Sequence, residues 1–317
     1  MYEEFYNLSE RPFTLTPNPR YVFYSARYRE ATDELHYGIE RKEGFMLLTG
    51  WPGTGKTTLC RDLFDKLDPA KYKSALVFNP FLNGLEVLQA LLTEFGVAHV
   101  AGASRNDLLN ALNRFLLDQL AAGRTCVAVF DEAQHMSTEF LEQIRVLSNL
   151  ETAEEKLIQI VLVGQPELLA RIKMPGMAQL NQRISVRSRL THLNPDETKR
   201  YIYHRLEVAG AHGRVNFSNR AIARIHRASQ GIPRGINTIC DHALLAGYVD
   251  RTRDLDLRQV KQAIASLHGE EAELPVSRVG VARKLAIALS AAAALLAGAG
   301  ALLVYRGVLV LPHFALP

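Results

Sequence analysis

Phe45-Met-Leu-Leu-Thr-Gly50-Trp51-Pro52-Gly53-Thr54-Gly55-Lys56-Thr57-Thr58 decides how the rest of the chain is read. A short apolar run that reads as a strand leads into G-x-x-x-x-G-K-T, and a helical pattern follows. In that strand, loop and helix setting, glycines let the backbone curl until successive N–H groups point at an anion, and the helix start adds its dipole. Gly50, Trp51, Pro52, Gly53, Thr54, Gly55, Lys56, Thr57 and Thr58 are therefore the expected phosphate cradle. Lys56 supplies a point charge for the β- and γ-phosphates of ATP, and the Thr57 hydroxyl completes the coordination of Mg2+. A chance match, a glycine turn that merely joins two elements, would lack the flanking strand and helix.

The second half of such a site comes about 75 residues later, where Val127-Ala-Val-Phe130 runs into Asp131-Glu132-Ala-Gln134. Four apolar residues bury the strand, and the acids emerge at its C-terminal end, the edge where parallel sheets place ligands. Asp131 is expected to hold Mg2+ through its water shell, and Glu132 to orient and deprotonate the attacking water. Alone, the two acids could simply cap the next helix; paired with the phosphate loop they complete a hydrolytic site.

Working outward, GFMLLTG, SALVFNP, CVAVFDE and LIQIVLVG are continuous apolar runs separated by amphipathic stretches. That alternation is the signature of a parallel sheet covered on both faces, so the fold class is α/β. From about Pro195 the strands stop. Ile236, Ile239, Cys240, Ala243, Leu244 and Gly247 then form one stripe of an amphipathic helix. The expected division is an α/β domain over 1–194, including an N-terminal aromatic strip, and a small helical lid over 195–268. A linker over 269–284, a transmembrane helix over 285–305 and a short tail over 306–317 follow. Residues 285–305 carry no charge over a length sufficient to cross a bilayer. Arg278, Arg283 and Lys284 precede them and only Arg306 follows, a bias that keeps the main body on the cytoplasmic side. Met1 to Glu10 is acidic and aromatic, so a secretory signal is not expected.

Composition narrows the classes. With 317 residues, 48% of them hydrophobic, the chain can bury a sizeable core, which excludes disorder throughout. Cys60, Cys126 and Cys240 are an odd set without a C-x-x-C pair, and the ten histidines include no H-E-x-x-H, so neither a disulfide framework nor bound zinc is expected. The net charge is +4, of which Arg306 in the tail is one, leaving +3 over residues 1–284. That is too little for a strong non-specific nucleic-acid footprint.

Together the motifs resemble the AAA+ superfamily, and more closely the ExeA/GspA-like secretion ATPases. The likeness runs from FYNLSERPFTLTPNPRYVF through GWPGTGKTTLCRDL, VFDEAQHMS, LEQIRVLSNLET, QIVLVGQPELL and LNQRISVR to SQGIPRGINTICDHALLAGY. It implies a membrane-anchored ATPase of the inner membrane, with its catalytic domain in the cytoplasm, acting as a homo-oligomer with envelope or secretion-assembly proteins. With 12 residues after the span, direct peptidoglycan binding is not expected. The resemblance also assigns Gln165 to the sensor-1 position and Arg183 to an arginine finger for a neighbour's nucleotide, with Arg187 and Arg189 as rivals. Arg234 in Gly-Ile-Pro-Arg resembles sensor 2; an arginine at a helix N-terminus opposes the dipole and so asks for an anionic partner. The aromatic strip of Phe13, Tyr21, Phe23 and Tyr24 would lie near the adenine, and His135 stands where relatives frequently carry Asn. Two other functions fit the same motifs: a DNA-associated regulator of the origin-recognition or transposition type, and a nucleotide-gated scaffold with little turnover.

Overall fold

The computed structural model describes residues 1–78, 84–100 and 102–267, together with Gly269. Strands β1 (Phe45–Gly50), β2 (Tyr72–Val77), β3 (Thr125–Phe130), β4 (Ile158–Gly164) and β5 (Ile184–Leu190) form one sheet in the order β2-β3-β4-β1-β5, every pair parallel. Parallel neighbours need crossovers, and helices supply them. Before β1 come α1 (Tyr2–Tyr6) and α2 (Ala26–Glu40); α3 (Lys56–Lys66) follows β1, and α4 (Gly84–Phe95) and α5 (Arg105–Ala121) follow β2. After β3 and β4 come α6 (Thr138–Leu147), α7 (Pro166–Ile172) and α8 (Ala178–Arg183).

The period-2 alternation of strand side chains divides the core. Phe45 and Leu47 of β1 join Ala128, Phe130, Ile160 and Leu162 under α4 to α8, while Met46 and Leu48 join Val127, Val129, Val161 and Val163 under α2 and α3. Both faces being covered, β1, β3 and β4 need apolar residues at almost every position, which is why they read as unbroken runs. The edge strands β2 and β5 instead carry Lys73, Arg187 and Arg189 at incompletely buried positions, charges that discourage further strand pairing.

Beyond the sheet lie α9 (Pro195–Val208), α10 (Asn219–Ser229), α11 (Pro233–Val249) and α12 (Leu257–Leu267). Capping starts the first two cleanly: Asn194 and Glu197 form a reciprocal capping box on α9, and the Ser218 hydroxyl accepts the N–H of Ala221 on α10. The expected stripe of α11 is buried as a set. Strands do not stop altogether at Pro195, however: β6 (Asn216–Phe217) and β7 (Asp254–Leu255) pair in parallel. Two residues each are too few to leave a period-2 signature.

The aromatic strip packs with these helices. Tyr2, Tyr6, Phe13 and Tyr21 share a core with Tyr201, Ile202, Ile236 and Leu244, so the first residues of the chain help to build the lid. The Tyr6 hydroxyl donates to the Leu244 carbonyl (2.9 Å) and Tyr2 donates to Asp241. Among the described residues no helix is long and apolar enough to cross a membrane, and the span expected over 285–305 lies outside them, as do the linker and tail.

Candidate active site

Where β1 ends at Gly50 the chain turns and re-enters helix at Lys56. The Thr54 backbone N–H and hydroxyl both donate to the Trp51 carbonyl, at 3.3 and 2.8 Å, which closes the turn. Gly53 sits at φ +77°, and a Cβ there would stand 2.6 Å from the Cβ of Arg234. Only glycine tolerates both the left-handed backbone and that approach. The Gly53 carbonyl accepts the backbone N–H of Arg234 at 3.3 Å, so the loop and the lid touch through the main chain.

Lys56 is 5% exposed, and its ammonium donates to the carbonyls of Gly50 (2.9 Å) and Trp51 (3.3 Å). An ammonium has three donors, so one proton is left for the cleft. Burial holds its pKa below the usual lysine value, with the charges of Glu132 and Asp131 pulling the other way. A buried cation short of one acceptor fits a phosphate oxygen.

Asp131 leaves the end of β3 only 1% exposed. One carboxylate oxygen accepts the Thr57 hydroxyl at 2.5 Å and the other accepts the Glu132 N–H at 2.8 Å. Two hard oxygen donors from Thr57 and Asp131 therefore stand side by side, a set that suits Mg2+ sharing its remaining positions with phosphates and water. Glu132 takes the left-handed backbone conformation (φ 54°), rare for a residue with a side chain.

Lys56, Thr57 and Glu132 line a cleft of about 390 Å3. Pro52 to Thr58 form its floor, Glu132 one side, and Arg234 and Asn237 of α11 the lid side; Pro17, Tyr21, Val22 and Phe23 of the N-terminal strip form another wall. Arg234 is exposed and has no ion pair among the described residues. Trp51 is 43% exposed and meets His192 edge-on.

Of the expected site residues, Gly50, Trp51 and Asp131 reach the cleft only through their bonds to Lys56 and Thr57, and Gln165 and Arg183 stand apart from its lining. Gln165 stands at the N-cap position of α7 without a side-chain capping bond, and its backbone N–H donates to the side-chain carbonyl of Gln134 at 3.0 Å. The Arg183 guanidinium is turned into its own subunit, donating to the Ser148 hydroxyl (2.6 Å) and the Arg145 carbonyl (3.4 Å). Of its rivals, Arg187 donates to Asn181 and Arg189 is exposed. His135 is exposed at the end of a short 3-10 turn over Ala133–His135.

Two residues with positioning roles were not singled out by sequence. Buried Arg205 donates to the carbonyls of Pro12 and Thr14 and lies 4.6 Å from the Tyr21 ring centroid, pinning the strip that walls the cleft. Its position on the apolar face of α9, with Tyr201, Ile202 and Leu206, was the available signal. Gln134 had no such signal: its side-chain amide bonds the Glu132 carboxylate and the Gln165 N–H, which come together only in the fold.

A phosphate-binding loop after β1, acids at the end of β3 and a helical lid over the cleft define an AAA-domain P-loop ATPase. A family model described as an AAA domain matches residues 39–172. The chain is 44% identical to General secretion pathway protein A from Aeromonas hydrophila over 248 residues, 78% of this chain. The match spans 45% of that relative's length, less than half. Among solved structures, the Aeropyrum pernix ORC2 protein in its ADPNP-ADP complexes is similar with a TM-score of 0.62 at 19% identity, over 81% of this chain and 71% of that one. The Aeropyrum pernix ORC1 protein in complex with DNA has a TM-score of 0.63 at 16% identity, covering 81% and 69%. The Thermotoga maritima RuvB Holliday junction branch migration motor follows with a TM-score of 0.51 at 18% identity, covering 81% and 72%. These structural likenesses establish the fold.

Proposed function

We propose that this chain is a membrane-anchored AAA+ ATPase that couples ATP binding and hydrolysis to assembly or energising of a secretion, pilus or envelope polysaccharide system. The observation that carries the catalytic half is the convergence of Lys56, Thr57, Glu132 and the lid's Arg234 on one cleft, with Asp131 bonded to Thr57. The secretion half is supported by the relative's name and the membrane anchor by the uncharged run over 285–305.

In this reading the loop N–H groups and Lys56 bind the phosphates of ATP, and Arg234 reports their presence to the lid. Thr57 and Asp131 would hold Mg2+, whose charge would offset that of the β- and γ-phosphates. Glu132 takes a proton from water as the water oxygen bonds to the γ-phosphorus and the bond to the β–γ bridging oxygen breaks, giving ADP and phosphate. Gln165 reads the γ-phosphate side. Arg183 leaves Ser148 on assembly and reaches a neighbour's nucleotide, where it offsets charge developing on the transferring group.

Nucleotide titration and turnover test the assignment. Lys56→Ala should abolish ATP binding, whereas Glu132→Gln should bind ATP and hydrolyse it at least ~100-fold more slowly, because an amide cannot accept the proton. Turnover per subunit should rise with protein concentration and lose that rise in Arg183→Ala. Wild-type turnover in Glu132→Gln would remove Glu132 as the base. The rival reading, a DNA-associated regulator, would be favoured instead by tight, steeply salt-dependent binding of duplex DNA.

A further inference from the structure

Between the base and the sensor strand lies a side chain to which the functional reading gives no part. Gln134 follows Glu132 by two residues in the 3-10 turn after β3. Its amide nitrogen donates to a Glu132 carboxylate oxygen at 2.5 Å, and its amide oxygen accepts the Gln165 backbone N–H at 3.0 Å. The two partners fix which end of the amide is which, since a carboxylate can only accept and a backbone N–H can only donate. The turn itself is tied down by Arg171, whose guanidinium donates to the Gln134 carbonyl at 2.8 Å. The strand end leaves room for the amide by having no side chain: a Cβ on Gly164 would come within 2.9 Å of the Gln134 oxygen.

From this geometry we infer that Gln134 is a positioning residue for hydrolysis. It holds the Glu132 carboxylate toward the phosphate loop and links its orientation to Gln165 at the tip of β4. Three further features point the same way. Glu132 lines the cleft together with Lys56 and Thr57 of the phosphate loop. Its backbone adopts a conformation costly for a non-glycine residue, which an external restraint helps to maintain. The bond occupies one carboxylate oxygen and leaves the other to receive the proton of a water. Since Gln134 bonds the backbone of Gln165, a displacement of the β4 tip by a bound γ-phosphate would move the base directly.

The inference rests on Glu132 being the base, so Glu132→Gln is the reference for each measurement. In Gln134→Leu, which keeps size and removes both hydrogen bonds, kcat should fall roughly ten- to a hundredfold, a part of the ~10²–10⁴ that a general base contributes. KM for ATP should stay within about twofold, because the phosphate contacts are untouched.

Gln134→Glu gives a second, independent signature. When its carboxyl is protonated it has the shape and the donor of the amide; at higher pH two carboxylates face each other and repel. Turnover relative to wild type should therefore be highest in acid and fall as pH rises. Unchanged kcat in Gln134→Leu, while Glu132→Gln is inactive, would overturn the role of Gln134 and leave the base assignment standing. A parallel loss of kcat, ATP affinity and melting temperature would also overturn it, by making Gln134 a residue of general stability. An active Glu132→Gln would instead overturn the reading on which the inference rests.

Discussion

Lys56 shows how far one residue can be argued. Its ammonium is buried against two carbonyls, and desolvation lowers its pKa from the usual 10.5, although Glu132 and Asp131 oppose the shift. Below the lowered value both the folded and unfolded chains carry the proton, and the cost of burying the charge is present in full. Between that value and 10.5 the unfolded chain binds more protons, so stability rises with pH across this window. Nucleotide binding responds with the opposite sign. A phosphate favours the charged form, so once pH exceeds the lowered value the protein must take up a proton to bind. ATP affinity should weaken with rising pH below 10.5, and calorimetry in buffers of different ionisation heat should register proton uptake. Flat affinity with no uptake would show that Lys56 is not the phosphate's counter-charge. The GKT motif identifies this lysine, but its burial follows from the sheet edge and loop that enclose it.

At the scale of elements, the phosphate loop and the lid helix α11 are one mechanical unit. Gly53 gives its carbonyl to the Arg234 N–H and its side-chain space to the Arg234 Cβ. Gly53→Ala should cost about 1–3 kcal/mol from the left-handed backbone alone, with a further cost from displacing α11. We expect ATP affinity to drop at least ~10-fold, which corresponds to about 1.4 kcal/mol, and protease sensitivity to rise around residues 230–236. Near-wild-type affinity would mean that the lid does not need this contact to hold nucleotide. The glycine pattern was legible, and so were the strands flanking it, because a buried parallel sheet demands unbroken apolar runs. The loop-to-lid contact was not, since Gly53 and Arg234 stand far apart along the chain and no local rule relates them.

For the whole molecule, the proposal of a membrane anchor depends on the uncharged run over 285–305 and the basic residues before it, which are properties of composition. Full-length protein should pellet with membranes and resist carbonate extraction, while a chain ending at Gly269 stays in the supernatant; release of the full-length protein by carbonate would remove the anchor. The amino-acid order by itself determined the α/β class, the phosphate loop, the acids at the end of β3 and the amphipathic stripe of α11. Each is a local pattern whose period or spacing is imposed by backbone geometry. Tertiary structure alone decided the rest. Residues 1–21 became part of the lid core because Tyr2, Tyr6, Phe13 and Tyr21 found apolar partners on helices remote in sequence. Arg183 turned inward because Ser148 lay within hydrogen-bond reach. Gln134 acquired two partners at once because β3 and β4 are neighbours in the sheet, bringing Glu132 and the Gln165 N–H to opposite ends of one amide. Such convergence depends on where strands end in space, which no spacing along the chain encodes.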